Sequence, residues 1–233
     1  MAPVNLRYDP DSLRDRYRDA QPFPHVALDG LFEDADLDAV LREFPAPDQM
    51  RWMRFDNPQE KKLGFYHELS AISPAVRSFL EAMNGFEMLA FLERLTGIDG
   101  LIPDPYFGGG GLHQIEAGGF LKIHADFNVH PKLRLDRRLN VLIYLNRNWR
   151  DEYGGHLELW DAQMSRCVQR ILPTFNRTVI FSTTDTSFHG HPQPLTPPPG
   201  ETRKSVSLYY YTAGRPQDER SAPHDTIFRA PQS

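Results

Sequence analysis

Apolar residues return at helical spacing through the first hundred positions and at strand spacing through the next hundred. In 33-EDADLDAVLREF, 73-SPAVRSFLEAM and 86-FEMLAFLERLTG they recur every three to four positions, the period of a helix with one buried face. Ser73 followed by Pro74 is a start signal, and Gly97 after the last periodic residue is a stop signal. From about residue 100 to 212 the apolar residues fall into short runs rich in β-branched and aromatic residues: 112-LHQIE, 120-FLKIHADF, 138-RLNVLIYLN, 156-HLELW, 166-RCVQRIL, 177-RTVIFST and 204-KSVSLYYYT. About seven strands with turn-rich joints and no helices between them predict a sandwich or jelly roll rather than a parallel sheet. The expectation is one domain over 1–233, mainly β with amino-terminal helices. Residues 1–100 are mainly helical support, 100–212 the β-core, and 213–233, with Pro216, Pro223 and Pro231, an irregular tail.

Composition narrows the class. At 233 residues, 40% hydrophobic and 24% charged, the chain is globular and long enough to bury a full core without disulfides. Cys167 is the single cysteine, so no internal disulfide forms, and the opening MAPVNLRYDPD has no apolar h-region; together they point to the cytoplasm. No apolar run approaches the roughly 20 residues of a membrane span. With 26 basic against 31 acidic residues and a net charge of -5, nucleic acid is excluded as the main partner.

Nine histidines on a jelly-roll pattern raise the possibility of a metal. His124 and Asp126 are two apart on a strand, so both side chains face the same way and can grip one ion. A pair of this kind arises about once by chance in such a composition, and His156 with Glu158 matches the looser pattern too. Context separates them: the first pair follows the Gly118-Gly119 turn and leaves further strands before a third ligand in 188-FHGHP, for which His189 is favoured over His191. Two histidines and one carboxylate leave the opposite side of an ion open for substrate and O2, the arrangement of non-haem Fe(II) oxygenases. In 202-TRKSVSLYYYT, Arg203, Ser205, Ser207 and Tyr209 share one face. Arg and Ser inside an apolar strand are costly unless an anion meets them, and a guanidinium suits a carboxylate, so the expected guest is an acid such as 2-oxoglutarate. On 138-RLNVLIYLN, Asn140 and Tyr144 share the face that reaches the cavity, and Gln114, beyond the Gly108–Gly111 bend, is a candidate to face the co-substrate. The stretch 128-NVHPKLRLDRR, with Lys132, Arg134, Arg137 and Arg138 against Asp136, reads as a positively charged loop, either solvated or facing an anionic substrate.

These residues, in their order, resemble the Fe(II)- and 2-oxoglutarate-dependent oxygenases, in the branch containing prolyl hydroxylases and hypoxia-sensing enzymes. The resemblance covers about residues 110–212 and runs through His124-x-Asp126, 144-YLNRNW, Gly154-Gly155, Asn176 with 179-VIF, His189 and Arg203-x-Ser205. It implies a double-stranded β-helix, the cupin-like jelly roll, with His124, Asp126 and His189 binding iron. By the same likeness Arg203 holds the distal carboxylate of 2-oxoglutarate, Tyr144 adds a hydrogen bond to it, and Ser205 completes an Arg-x-Ser pattern. The implied reaction hydroxylates an unactivated C–H bond of a prolyl, amino-acid-like or other small-molecule or peptidyl substrate, with succinate and CO2 as co-products and ascorbate (vitamin C) as reductant. The sequence departs from the pattern at His156 and in Pro192–Gly200, which holds five prolines in nine residues. Lys204, a rival for the co-substrate, is rejected by strand phase. Two other functions remain open: a cupin-like metal-dependent isomerase or hydrolase, and a non-catalytic binding module on the same scaffold.

Overall fold

Ser73 and Pro74 do start a helix: the Ser73 hydroxyl accepts from the Val76 amide at 3.3 Å, and Pro74 fills the first helical position where no N–H is needed. Val76, Phe79, Leu80 and Met83 then fall at the i, i+3, i+4, i+7 spacing and are all buried. Gly97 ends the next helix with φ of 71°, a left-handed conformation that other residues adopt at a cost. In this computed structural model, residues 5–232 are described; the first four residues of the amino-terminal stretch and Ser233 of the tail lie outside that range.

In chain order the elements are α1 (Arg14–Arg18), β1 (His25–Asp29), α2 (Asp34–Arg42), β2 (Trp52–Asp56), β3 (Glu60–Phe65), α3 (Pro74–Met83), α4 (Phe86–Thr96), β4 (Ile102–Pro103), β5 (Gly111–Ile115), β6 (Phe120–Ala125), β7 (Asp136–Tyr144), β8 (Leu157–Trp160), β9 (Cys167–Ile171), β10 (Arg177–Ser182), β11 (His189–His191), β12 (Arg203–Thr212) and β13 (Ile227–Phe228). The strands form one 13-stranded sheet in the order β1-β10-β7-β12-β5-β3-β6-β11-β8-β9, with β13 beside β6, β2 beside β3 and β4 beside β12. Every named pairing is antiparallel, and the sheet curls into the nearly closed jelly roll that the strand pattern predicts.

Period two decides what each strand face does. On β7, Leu139, Val141 and Ile143 join the large core beneath α3 and α4, while Asn140, Leu142 and Tyr144 line an internal chamber. On β12, Val206, Leu208 and Tyr210 join the same core, while Arg203, Ser205, Ser207 and Tyr209 face the chamber. Each fully buried Leu, Val or Ile contributes about 1.5–3 kcal/mol, so the helix-facing residues hold the chamber wall in place.

Two expectations need correction. Helices α1 to α4 predominate in the first hundred residues, but β1, β2 and β3 also lie there and extend the sheet, which the helical reading left out. Their exposure patterns do not alternate cleanly (β3 runs from half-exposed to fully buried), because neighbouring strands rather than a single core face stabilise them. The tail is not wholly irregular either: Ile227 and Phe228 pair with Ala125 and His124.

Candidate active site

His124 and His189 sit directly opposite each other on β6 and β11, with ring centroids 4.5 Å apart. Asp126 lies just past the end of β6, and its carboxylate reaches both rings, 3.6 Å from His124 Nε2 and 3.5 Å from His189 Nε2. One ligand atom from each of the three lies within 4.8 Å of the other two. The imidazoles are oriented from behind. His124 Nδ1 donates to the Lys122 carbonyl at 2.8 Å and His189 Nδ1 to the Ser187 carbonyl at 2.9 Å. In the neutral rings this leaves the Nε2 lone pairs directed at the space beside Asp126, the tautomer a metal requires. Burial, with the neighbouring His124, pushes His189 down to about 4. A pair of neutral nitrogens and a carboxylate on one face fit Fe(II) and leave the other positions open.

Burial raises the Asp126 carboxyl, but the Arg137 guanidinium 3.0 Å away overcomes this and holds it well below the usual carboxylate range. Asn140 Nδ2 donates to Asp126 Oδ2 at 2.7 Å, and its amide oxygen accepts from Arg137 Nε and Nη2 at 3.0 and 2.7 Å. Arg137 is 1% exposed and stacks over the Tyr209 ring at 3.5 Å. Asn140 therefore holds the Asp126 carboxylate, at the triad end of the chamber.

At the opposite end lies Arg203, buried, with Nε donating to the Gly155 carbonyl at 2.8 Å and Nη2 to the Tyr144 hydroxyl at 3.3 Å. Gly155 has φ of 72°, and a Cβ there would stand 2.9 Å from Arg203 Cδ, so the second glycine of Gly154-Gly155 makes room for the guanidinium. Burial lowers the Arg203 pKa and the Tyr144 hydroxyl answers it in part, but no carboxylate does. Tyr144, Ser205 and Arg203 all line the chamber, whose volume is about 230 Å3. Lys204 points the other way, toward Thr202 Oγ1 at 2.7 Å, as strand phase requires.

Gln114 is a correction. On β5 the residues facing the chamber are His113 and Ile115, and Gln114 points out of it, donating to the Pro45 carbonyl at 3.1 Å and accepting from Thr202 Oγ1 at 2.7 Å. The charged-loop reading of 128–138 also fails at its end, since Arg137 and Arg138 are buried in β7. The pairing of β7 with β12 shifts register between Tyr210 and Tyr211, which face Leu139 and Arg137. That bulge at Arg138 inverts the strand phase, so a period-two count puts Arg137 on the helix side when its side chain lines the chamber. His156 lies outside the chamber lining, its Nε2 2.9 Å from Asp151. Sequence reasoning also missed walls supplied from both ends of the chain: Met53, Phe55, Glu60 and Lys62 from β2 and β3, and Thr226 and Phe228 from the tail. An outer cavity of about 920 Å3, walled by Tyr106, Phe107, Val129 and Pro131, shares Gly109, Phe127, Thr226 and Phe228 with the chamber.

Fold and site together define a class: an antiparallel jelly roll with a two-histidine, one-carboxylate triad at one end of its chamber and a buried arginine at the other. Residues 110–211 match the family model of the 2OG-Fe(II) oxygenase superfamily. A mouse protein, prolyl 3-hydroxylase OGFOD1, is 30% identical over 79 residues; the match takes in 32% of this chain and 14% of the mouse protein. Among solved structures, a Pseudomonas putida prolyl-4-hydroxylase superposes with a TM-score of 0.61 at 14% identity, covering 88% of this chain and 100% of that one. The Trichoplax adhaerens prolyl hydroxylase in complex with a hypoxia inducible factor peptide fragment gives 0.57 at 16%, covering 86% and 88%. Streptomyces hygroscopicus HygX with nickel, 2-oxoglutarate and hygromycin B bound gives 0.55 at 13%, covering 87% and 92%. These likenesses establish the fold. No described helix is long and apolar enough to cross a membrane.

Proposed function

We propose that this protein is an Fe(II)- and 2-oxoglutarate-dependent dioxygenase that hydroxylates an unactivated C–H bond of a peptidyl or amino-acid-like substrate. The observation that carries this reading is the coexistence, in one small chamber, of a metal-ready triad and a buried arginine without a carboxylate partner. An isomerase or hydrolase on the same barrel has use for the first but not the second. A non-catalytic module needs neither.

His124, Asp126 and His189 hold the metal, and Arg203 with Tyr144 and Ser205 binds the distal carboxylate of the co-substrate. When bound, Fe(II) and 2-oxoglutarate together activate O2 and supply one oxygen atom to a C–H bond, leaving succinate and CO2. The chain's own residues provide geometry and charge. Arg137 and Asn140 fix the Asp126 carboxylate in its ionised form and orientation. Phe181, packed edge-on against the His189 ring, and the chamber-lining Leu157 and Phe228 limit water near the reacting atoms. The substrate approaches through the outer cavity, whose Tyr106 and Phe127 suit an apolar ring and whose Lys132 suits a carbonyl or carboxylate. We place the protein in the cytoplasm on its single cysteine, and expect ascorbate to rescue iron oxidised in unproductive turnovers.

The test is 2-oxoglutarate turnover with Fe(II) under air, without added substrate. Slow, ascorbate-supported formation of succinate, lost in Arg203→Ala, supports the reading. Activity on any substrate that is indifferent to Arg203→Ala refutes it.

A further inference from the structure

Among the polar side chains of the chamber that the scheme above leaves without a role, one stands out by its unmet hydrogen bonds. His191 follows His189 by two residues on β11, so its ring projects from the same strand face about 7 Å further along. It is 4% exposed and lines the chamber, and neither Nδ1 nor Nε2 has a hydrogen-bond partner. Burial of an imidazole in this state is unfavourable, and folding gains nothing from it unless something that enters the chamber meets the ring. An ordinary core histidine is satisfied by its neighbours; this one is not.

Register locates it. His191 faces Leu121 on β6, and Leu121 faces Glu60 on β3. Further along β3, Leu63 faces Gln114 on β5, next to Ile115, which faces Arg203 on β12. Measured along the barrel wall, His191 thus stands between the level of the triad and that of Arg203. An imidazole always carries at least one N–H, and both ring nitrogens of His191 lack a partner within the chamber. A carboxylate has about four lone-pair sites. Arg203 has already committed Nε to the Gly155 carbonyl and Nη2 to Tyr144, so a carboxylate held there has sites to spare for a further donor.

We propose that His191 is a co-substrate-binding residue that donates an imidazole N–H to the distal carboxylate of 2-oxoglutarate, alongside Arg203 and Tyr144. This rests on the oxygenase reading given above.

The experiment measures binding, not turnover. Calorimetric titration of the full chain loaded with Mn(II) gives the Kd of 2-oxoglutarate and of 2-oxobutyrate, a 2-oxo acid that lacks the distal carboxylate. His191→Leu and His191→Met, two apolar replacements in case one fails to fold, are expected to weaken 2-oxoglutarate about 10- to 100-fold, the worth of one hydrogen bond to a charged group. Their Mn(II) affinity and their 2-oxobutyrate affinity should match the wild type, and the metal-free melting temperature should hold or rise. His191→Gln, which keeps a donor, should recover most of the loss. Unchanged 2-oxoglutarate binding in folded apolar variants, or an equal loss of both acids, overturns the assignment of His191 alone. A wild type that binds no 2-oxoglutarate at all overturns the oxygenase reading as well.

Discussion

At one end of the chamber a buried carboxylate, Asp126, is met by a guanidinium, an amide and two imidazoles; at the other a buried guanidinium, Arg203, is met by a carbonyl and a phenol but by no carboxylate. Both groups lie in the same low-dielectric interior, where an unpaired charge is expensive. The triad end is balanced against Arg137 before any ion arrives, and its two free lone pairs await a cation. The Arg203 end is unbalanced until an anion arrives. A chamber with a place for a cation at one end and a place for an acid at the other suits a ligand that spans both.

The two ends should respond differently to mutation. The largest effect is expected at the triad: Asp126→Ala or His189→Ala should lower turnover on the order of 1000-fold or more, because the metal supplies several kcal/mol to the reaction. Retained turnover in either folded variant would remove the metal from that end. Next comes Arg203→Met, which should raise the 2-oxoglutarate Kd by at least about 30-fold by deleting one partner of a buried charge pair. The metal-free variant should be as stable as the wild type or more so, since an uncompensated charge has been replaced by an apolar side chain. Arg137→Met sharpens the contrast. It leaves Asp126 buried without its cation, so the metal-free protein should lose about 3–5 kcal/mol in denaturant titration and metal affinity should fall about 10- to 100-fold. If Arg137→Met and Arg203→Met shift stability alike, the asymmetry is wrong.

The smallest expected effect is with pH. His189, ordinarily near 6.5, is held to about 4 in the fold, so the unfolded chain binds the proton more readily. The stability that neutral His189 contributes is therefore full above pH 6.5 and is lost as the pH falls toward 4. Melting temperatures of the metal-free protein should decline through that window, and the His189→Asn variant should decline less.

Much of this was legible in the sequence because strands alternate. Phase alone assigns Arg203 and Ser205 to the chamber and Lys204 to the outside, and it separates Asn140 and Tyr144 from the core face of β7. The same rule fails where alternation is broken or extrapolated. Arg137 is misread because a bulge at Arg138 reverses the phase, and Gln114 because the bend before β5 leaves the phase of that strand open. The walls from β2, β3 and β13 were illegible for another reason. Those short strands have little pattern of their own: β3 pairs with β5 and β6, β13 with β6, and β2 with β3, so their signal is tertiary. His191 enters the sequence reading only as the residue passed over for His189; its place in the chamber and its unmet hydrogen bonds are set by the fold.

The most direct test of the central claim is anaerobic addition of Fe(II) and then 2-oxoglutarate, watched in the visible range for the weak metal-to-ligand charge-transfer band. The account expects a band in the wild type, none in Asp126→Ala, and one in Arg203→Met only at much higher 2-oxoglutarate. No band in the folded, iron-loaded wild type, or bands of equal strength at the same concentration in all three, would contradict it.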